Sequence, residues 1–299
     1  LVKHLRPASF LPYKLERECH THDLWVFEGF TTYYENVLPF RAGVLDEDKL
    51  LSLTSARFNR VREREGFHVE SLSDASFNAW THLYKQTPDS AYCQASYYGK
   101  GAVLAFMLDA ALRKAGFSLD EVLKTWFHEA LADPQARSLP DGGFFERIPV
   151  ASIAERFKKL VTSSDRTLWE NEWRCALSTL GMSEEADKNT PASRMHLGLQ
   201  LDGLRVRYAE SRGSAYAAGL FAGDEIIAVN GLRADAATIE RMIAQAKGST
   251  VHIHYFREHL LRSAEIEIPV NPLPQPGTLK MKNPTEFGRA WIRSSNRQA

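Results

Sequence analysis

One carboxylate, Glu28, stands in the middle of the run Trp25-Val26-Phe27-Glu28-Gly29-Phe30-Thr31-Thr32-Tyr33-Tyr34, among apolar and aromatic residues. An ionised carboxylate is costly in a core unless something compensates it, so Glu28 is protonated, ion-paired or bound to a metal. The remaining account is a place in the first turn of a helix, where the macrodipole favours negative charge by roughly 0.3–1 kcal/mol. A zinc hydrolase often takes two histidines from one helix face, four residues apart with a glutamate between them. None of the ten histidines makes such a pair: His128-Glu129 has Ala132 at the fifth position, and His254, Glu258 and His259 are too widely spaced for the inverted pattern. His20 and His22 can chelate from an extended segment, but read more simply as polar loop residues. His252 and His254 share one face of a strand, where a solvent-facing pair is the simpler account. Cys19, Cys93 and Cys175 are far apart and odd in number, which argues against a disulfide framework and against a thiolate zinc site.

A second group with chemical potential is Tyr98, in Ser96-Tyr97-Tyr98-Gly99-Lys100-Gly101-Ala102. A phenol is a neutral donor at pH 7, with a reference pKa near ~10, and a fixed donor aimed at developing negative charge is worth a few kcal/mol. The alternative is that Tyr97 and Tyr98 simply pack ahead of a buried helix.

Helices and strands must position these groups. Apolar residues recur at three and four from Glu28 to Met182, which predicts helices over 28–40, 46–65, 74–84, 99–115, 118–131, 150–161 and 166–180. The segment 99–115 is the most apolar and reads as buried on most sides, with Gly116 ending it. Ser118 and Glu121 fit a capping box. A polar stretch ending in Pro191 reads as a linker. Beyond it, period-two alternation predicts strands over 204–208, 251–255 and 264–268, interrupted by a helix over 236–246. Prolines at 272, 274, 276 and 284 predict an extended tail that is mobile or lies against a domain. The chain therefore reads as multi-domain α+β, with a helical domain over 1–182, a linker over 183–193, a second domain over 194–271 and a tail over 272–299. Its 37 basic residues cancel its 37 acidic ones, so no global charge points to nucleic acid or an anionic membrane. No apolar stretch approaches the ~18 residues of a membrane span. The residues leave a cytoplasmic or periplasmic location equally open.

The run 23–34 resembles the segment that carries the third zinc ligand in the glycyl aminopeptidase family of gluzincin metallopeptidases, and Val2-Lys3-His4-Leu5-Arg6-Pro7 and Pro12-Tyr13 resemble the stretches that precede it there. The resemblance implies a thermolysin-like catalytic lobe, zinc as cofactor and Glu28 as its third ligand, with the HExxH helix upstream of Leu1. Ser96 to Ala102 resembles the clan's Tyr-x-Lys-Gly-Ala segment, which implies that Tyr98 stabilises the oxyanion of the tetrahedral intermediate. The substrates implied are peptides or proteins with small N-terminal residues. Since the HExxH base is not in this chain, the fragment is expected to be inactive by itself. Arg212 to Gly231 closely resembles the core signature of a PDZ domain, a small β-barrel or sandwich, and Leu197-Gly198-Leu199 resembles its carboxylate-binding loop. A peptide C-terminus would then add as a strand to the edge 199–201, beside the helix 236–246. The rival reading is a non-catalytic scaffold that binds peptides through the PDZ groove.

Overall fold

The computed structural model describes residues 4–275 and 277–292. Val2, Lys3, Pro276 and the last seven residues of the predicted tail, 293–299, lie outside the described residues. The chain forms two compact units, Leu1–Glu185 with Gly277–Ala299, and Ala186–Pro276. In chain order, the second unit is an insertion in the first.

The first unit begins with β1 (Arg6–Pro7) and a π-helical turn, Trp25–Gly29, that runs directly into α1 (Phe30–Arg41). There follow α2 (Glu47–Arg62), a 3₁₀ turn at Glu65–His68, α3 (Leu72–Phe77), α4 (Ser90–Cys93), α5 (Tyr97–Lys114) and α6 (Leu119–Ala132). Then come β2 (Ser138–Leu139), which pairs in parallel with β1, α7 (Ala151–Val161), α8 (Arg166–Leu180) and β3 (Ser183–Glu185). The helix starts follow sequence chemistry: the side chains of Asp46, Ser71, Ser96, Ser118 and Asp165 each accept a backbone N–H of the first turn. Helix α5 is buried over most of its length and is the axis about which the others pack. The helix predicted over 74–84 is corrected: α3 ends at Phe77, and turns follow. Phe77, Trp80 and Tyr84 are 40%, 42% and 63% exposed, so the apolar face that would have held that helix against a core is not buried.

In the second unit, β4 (Leu199–Asp202), β5 (Arg205–Ala209), the short helix α9 (Ser214–Ala217), β6 (Glu225–Val229), β7 (Leu232–Arg233), α10 (Ala236–Gln245), β8 (Thr250–Arg257) and β9 (Leu260–Glu267) follow in order. The strands make one antiparallel sheet in the order β4-β5-β6-β8-β9, with β7 beside β6. Among the described residues β4 and β9 do not pair, so the sheet is open, and of the expected β-barrel or sandwich the closed barrel is corrected. Its own core holds Val206, Ile226, Val229, Ile239, Ile243, Val251 and Ile253.

Past residue 276 the chain returns to the first unit. β10 (Thr278–Lys280) pairs antiparallel with β3, and α11 (Glu286–Ile292) follows. Residues 183–185, read as linker from their polarity, are therefore a strand, and 277–292, read as tail, are structure. Leu279 is buried, and its N–H reaches Ser55 Oγ at 2.8 Å. Trp291 is 1% exposed; its indole N–H donates to Tyr33 at 2.6 Å, and its ring meets Phe106 edge-on at 5.9 Å. Among the described residues no helix is long and apolar enough to cross a membrane.

Removing the Trp291 side chain opens a cavity beside α5 and leaves Tyr33 without its donor, so Trp291→Ala is expected to destabilise the first unit by ~3–5 kcal/mol. Trp291→Phe is expected to lose only about 1–2 kcal/mol. Urea unfolding followed by far-UV circular dichroism checks both; an unchanged midpoint for Trp291→Ala would show that the returning segment carries no stability.

Candidate functional site

The turn that carries Glu28 is pinned from both sides. Trp25, Val26, Phe27, Gly29 and Phe30 are buried, and the Trp25 N–H donates to Ser76 Oγ at 3.2 Å. Just upstream, the buried Asp23 accepts the Gly142 N–H at 2.6 Å; burial pushes its carboxyl up to about 6, while this hydrogen bond pulls the other way. The π-helical winding widens the turn by one residue, a feature often found where a helix serves a function.

Glycine sets how closely this turn meets α5. A Cβ built on Gly29 would lie 2.6 Å from Gly101 Cα, and one on Gly101 would lie 2.9 Å from Gly29 Cα and 3.1 Å from the Trp25 carbonyl. Only two facing glycines permit this backbone approach. Gly29 directly follows Glu28, and Gly101 lies three residues after Tyr98, so the contact brings the two predicted site residues into one region.

Glu28 is half-buried and has no hydrogen bond or ion pair with another described residue. Burial raises its carboxyl above the ordinary value. Tyr98 senses it: burial first, then the negative charge of Glu28, push the phenol up to about 12, so Tyr98 is a neutral donor across the physiological range. Tyr97 stacks on Tyr98 with ring centroids 4.7 Å apart and planes at 29°.

Lys100, two residues on, is fully buried, and its role was not read from the sequence. Its Nζ donates to the carbonyls of Phe67 and Glu70 at 2.6 and 2.7 Å and lies 4.8 and 4.7 Å from the ring centres of Phe67 and Trp169. Burial lowers its pKa to about 7, against the pull of Glu70 and Asp74. Its place in the Tyr-x-Lys-Gly-Ala segment was the available signal.

The histidines do not gather. His20 Nδ1 contacts the Phe77 carbonyl at 2.9 Å, and His22 stacks on the Phe77 ring at 4.7 Å with Nδ1 3.0 Å from Ser73 Oγ. His252 and His254 lie 4.4 Å apart on β8. Among the described residues no group of three or more His, Cys, Asp or Glu could hold a metal, so Glu28 stands as a single candidate ligand.

In the second unit, Leu197 and Leu199 are buried and Gly198 takes a left-handed φ of 76°. A π-helical turn, Ser193–Leu197, precedes β4 and is tied to α10 because Glu240 accepts both the Ser193 N–H, at 2.9 Å, and its hydroxyl, at 2.5 Å. The Gly198 N–H donates to the Arg194 carbonyl at 3.1 Å, so that amide is engaged within its own turn.

A carboxylate with no hydrogen bond or ion pair to another described residue and a neutral phenol, brought to one region by a close backbone crossing, are groups suited to hydrolysis at a carbonyl. Residues 1–104 match the family model described as M61 glycyl aminopeptidase, and the resemblance read from the Glu28 segment stands. Among solved structures, the chain is similar to an aminopeptidase N family protein from Idiomarina loihiensis at 28% identity and a TM-score of 0.81, over 97% of this chain and 52% of that one. The chain thus spans about half the length of that relative. No curated protein matches it. Both matches are to proteins described as aminopeptidases.

Because the Gly29–Gly101 approach leaves no room for a methyl group, Gly29→Ala is expected to cost ~1–3 kcal/mol through a forced backbone shift. The urea midpoint of the purified chain is the measurement, and a midpoint equal to that of the parent would refute the contact as a constraint.

Proposed function

We propose that this chain supplies one wall of a zinc-dependent aminopeptidase centre of the glycyl aminopeptidase type, in which Glu28 is a metal ligand and Tyr98 the oxyanion donor. The observation that carries the reading is the half-buried carboxylate of Glu28, which has no hydrogen bond or ion pair with another described residue and lies within electrostatic reach of Tyr98, inside the stretch that matches the family. Such a carboxylate fits a cation better than it fits a packed core. Zinc, when bound, supplies Lewis-acid activation of water and of the scissile carbonyl. This chain's own part is positional: the glycine contact fixes Glu28 against α5, and Tyr98 presents a neutral hydroxyl where negative charge develops. The sequence holds no HExxH, so two further ligands and the general base come from residues outside it, and the chain alone is expected to be inactive. In the complete protein, Glu28→Ala is expected to abolish both zinc retention and peptidase activity. Tyr98→Phe is expected to keep zinc while losing roughly 10²–10³ in kcat. Metal analysis beside hydrolysis of a glycyl or alanyl amide separates the two, and full activity in Glu28→Ala would exclude the ligand assignment.

For the second unit we propose a PDZ-type domain that takes a peptide C-terminus along β4. The support is the place of β4 at one end of the strand order, the left-handed Gly198 and the tie of the preceding turn to α10. Since the Gly198 amide already donates to Arg194, a carboxylate must displace that bond, which weakens binding. Peptides with a free C-terminus are expected to bind the chain and amidated versions not to. A diverse library without a binder in calorimetry would leave this unit a brace for the peptidase lobe.

A further inference from the structure

We infer that Asp23 is a positioning residue for Glu28: its carboxylate, together with Thr21, ties the loop 139–145 to the turn that carries Glu28 and so sets how that turn offers its carboxylate to a metal. The inference rests on the reading of Glu28 as a metal ligand. Asp23 is 3% exposed, and a buried carboxylate has to be met by donors. The loop after β2 supplies one: the Gly142 N–H donates to Asp23 Oδ2 at 2.6 Å. Beside it, the buried Thr21 hydroxyl donates to Asp141 Oδ1 at 2.5 Å and accepts the Asp23 N–H at 3.2 Å. Adjacent loop residues are thus held by the segment that leads into the turn.

The hold passes to Glu28 through the main chain. The Asp23 carbonyl accepts the Val26 N–H at 3.0 Å, so the residue whose side chain takes the loop also closes the start of the winding that contains Glu28. The loop meets the same winding a second time. Phe144 and Phe145, in the 3₁₀ turn Gly143–Arg147 directly after Gly142, face the Trp25 ring with centroids 5.9 and 5.7 Å from it.

The two contacts do different work. Ring pairs are favourable over roughly 4.5–7 Å of centroid separation, so ring packing alone leaves the turn free to slide. A hydrogen bond weakens steeply as it bends, and fixes direction as well as distance. A metal ligand has to be held to within about 0.5 Å, which is the demand the Asp23 bond meets. Glu28 is therefore bracketed: the Asp23 clamp fixes the turn ahead of it, and the Gly29–Gly101 approach fixes the turn behind it. Asp23 acts through Glu28 and touches neither metal nor substrate.

The test uses the complete, zinc-loaded enzyme at pH 8, where the Asp23 carboxyl, pushed up by burial to about 6, is ionised. Zinc release to an excess of the chromogenic chelator 4-(2-pyridylazo)resorcinol is followed beside Tm. Asp23→Ala is expected to release zinc about 10–100-fold faster than the parent. Asp23→Asn, whose amide oxygen can still accept the Gly142 N–H, is expected to stay within about threefold of it. Leu279→Ala lowers Tm by opening a cavity at β10, away from the turn, and is expected to release zinc at the parental rate. Parental release from Asp23→Ala, no rescue by Asp23→Asn, or equally fast release from Leu279→Ala for the same loss of Tm would each overturn the inference. Should Asp23→Ala fail to fold, Thr21→Val, which removes only the bridging hydroxyl, takes its place; faster release supports the clamp and parental release overturns it. Parental zinc retention in Glu28→Ala would instead remove the ligand assignment and the inference with it.

Discussion

The contact between Gly29 and Gly101 is the constraint on which the first unit depends. Two backbones meet at a distance where neither residue tolerates a Cβ, and the rest of the lobe is arranged to keep them there. Helix α5 can be approached this closely because its first turns are small: Gly99 faces Val61 of α2, Gly101 faces the π-helical turn, and Ala102 and Ala105 are fully buried. The large residues that fill the surrounding space, Trp25, Phe30, Phe106 and Phe144, pack edge-on or tilted at 5.0–5.9 Å, an arrangement that rings favour over direct stacking. The close crossing and the aromatic shell are two sides of one packing solution.

The other end of α5 is fixed by charge. Asp109, fully buried, accepts from Tyr33 at 2.8 Å, Arg113 at 3.1 Å and the Leu119 N–H at 2.9 Å, while Asp120 accepts from Tyr34, Arg41 and Arg113. Such a network is costly when one member is lost and rigid when all are satisfied. Trp291 completes it from the returning segment, so the last described helix reaches the same α1 that continues from the Glu28 turn. The inserted second unit therefore interrupts the lobe in sequence without dividing its core.

Much of this was legible in the residues. The apolar periodicity of 99–115 predicts α5, and Ser118 with Glu121 predicts the start of α6, because both signals are local. The Glu28 and Tyr98 segments were legible as short motifs. What escaped depends on long-range partners. Nothing local says that Leu279 and Trp291 have a core to enter, so a proline-spaced stretch reads as a tail. The helix expected over 74–84 fails for the same reason: Phe77, Trp80 and Tyr84 have helical spacing but no surface against which to bury it. Lys100 was missed because burial of a lysine is a property of the fold.

Glu28 is best understood by contrast with the other acids of its unit. Asp23, Glu70, Asp109 and Glu172 are the buried carboxylates among its described residues, and each has a partner: a backbone N–H for Asp23, His82 and a backbone N–H for Glu70, Tyr33 and Arg113 for Asp109, Arg156 for Glu172. The fold can therefore neutralise a buried acid and does so repeatedly. Glu28 is half-buried in the same turn as the buried Trp25 and Phe27, and no described residue gives it a hydrogen bond or ion pair, while burial raises its pKa. A carboxylate kept in that condition is less stable than a glutamine or a methionine would be, and a sequence under no demand for a charge there has no reason to keep it. In the function proposed above, a cation against Glu28 would remove that deficit, and the neutral Tyr98 would take nothing from the cation's field.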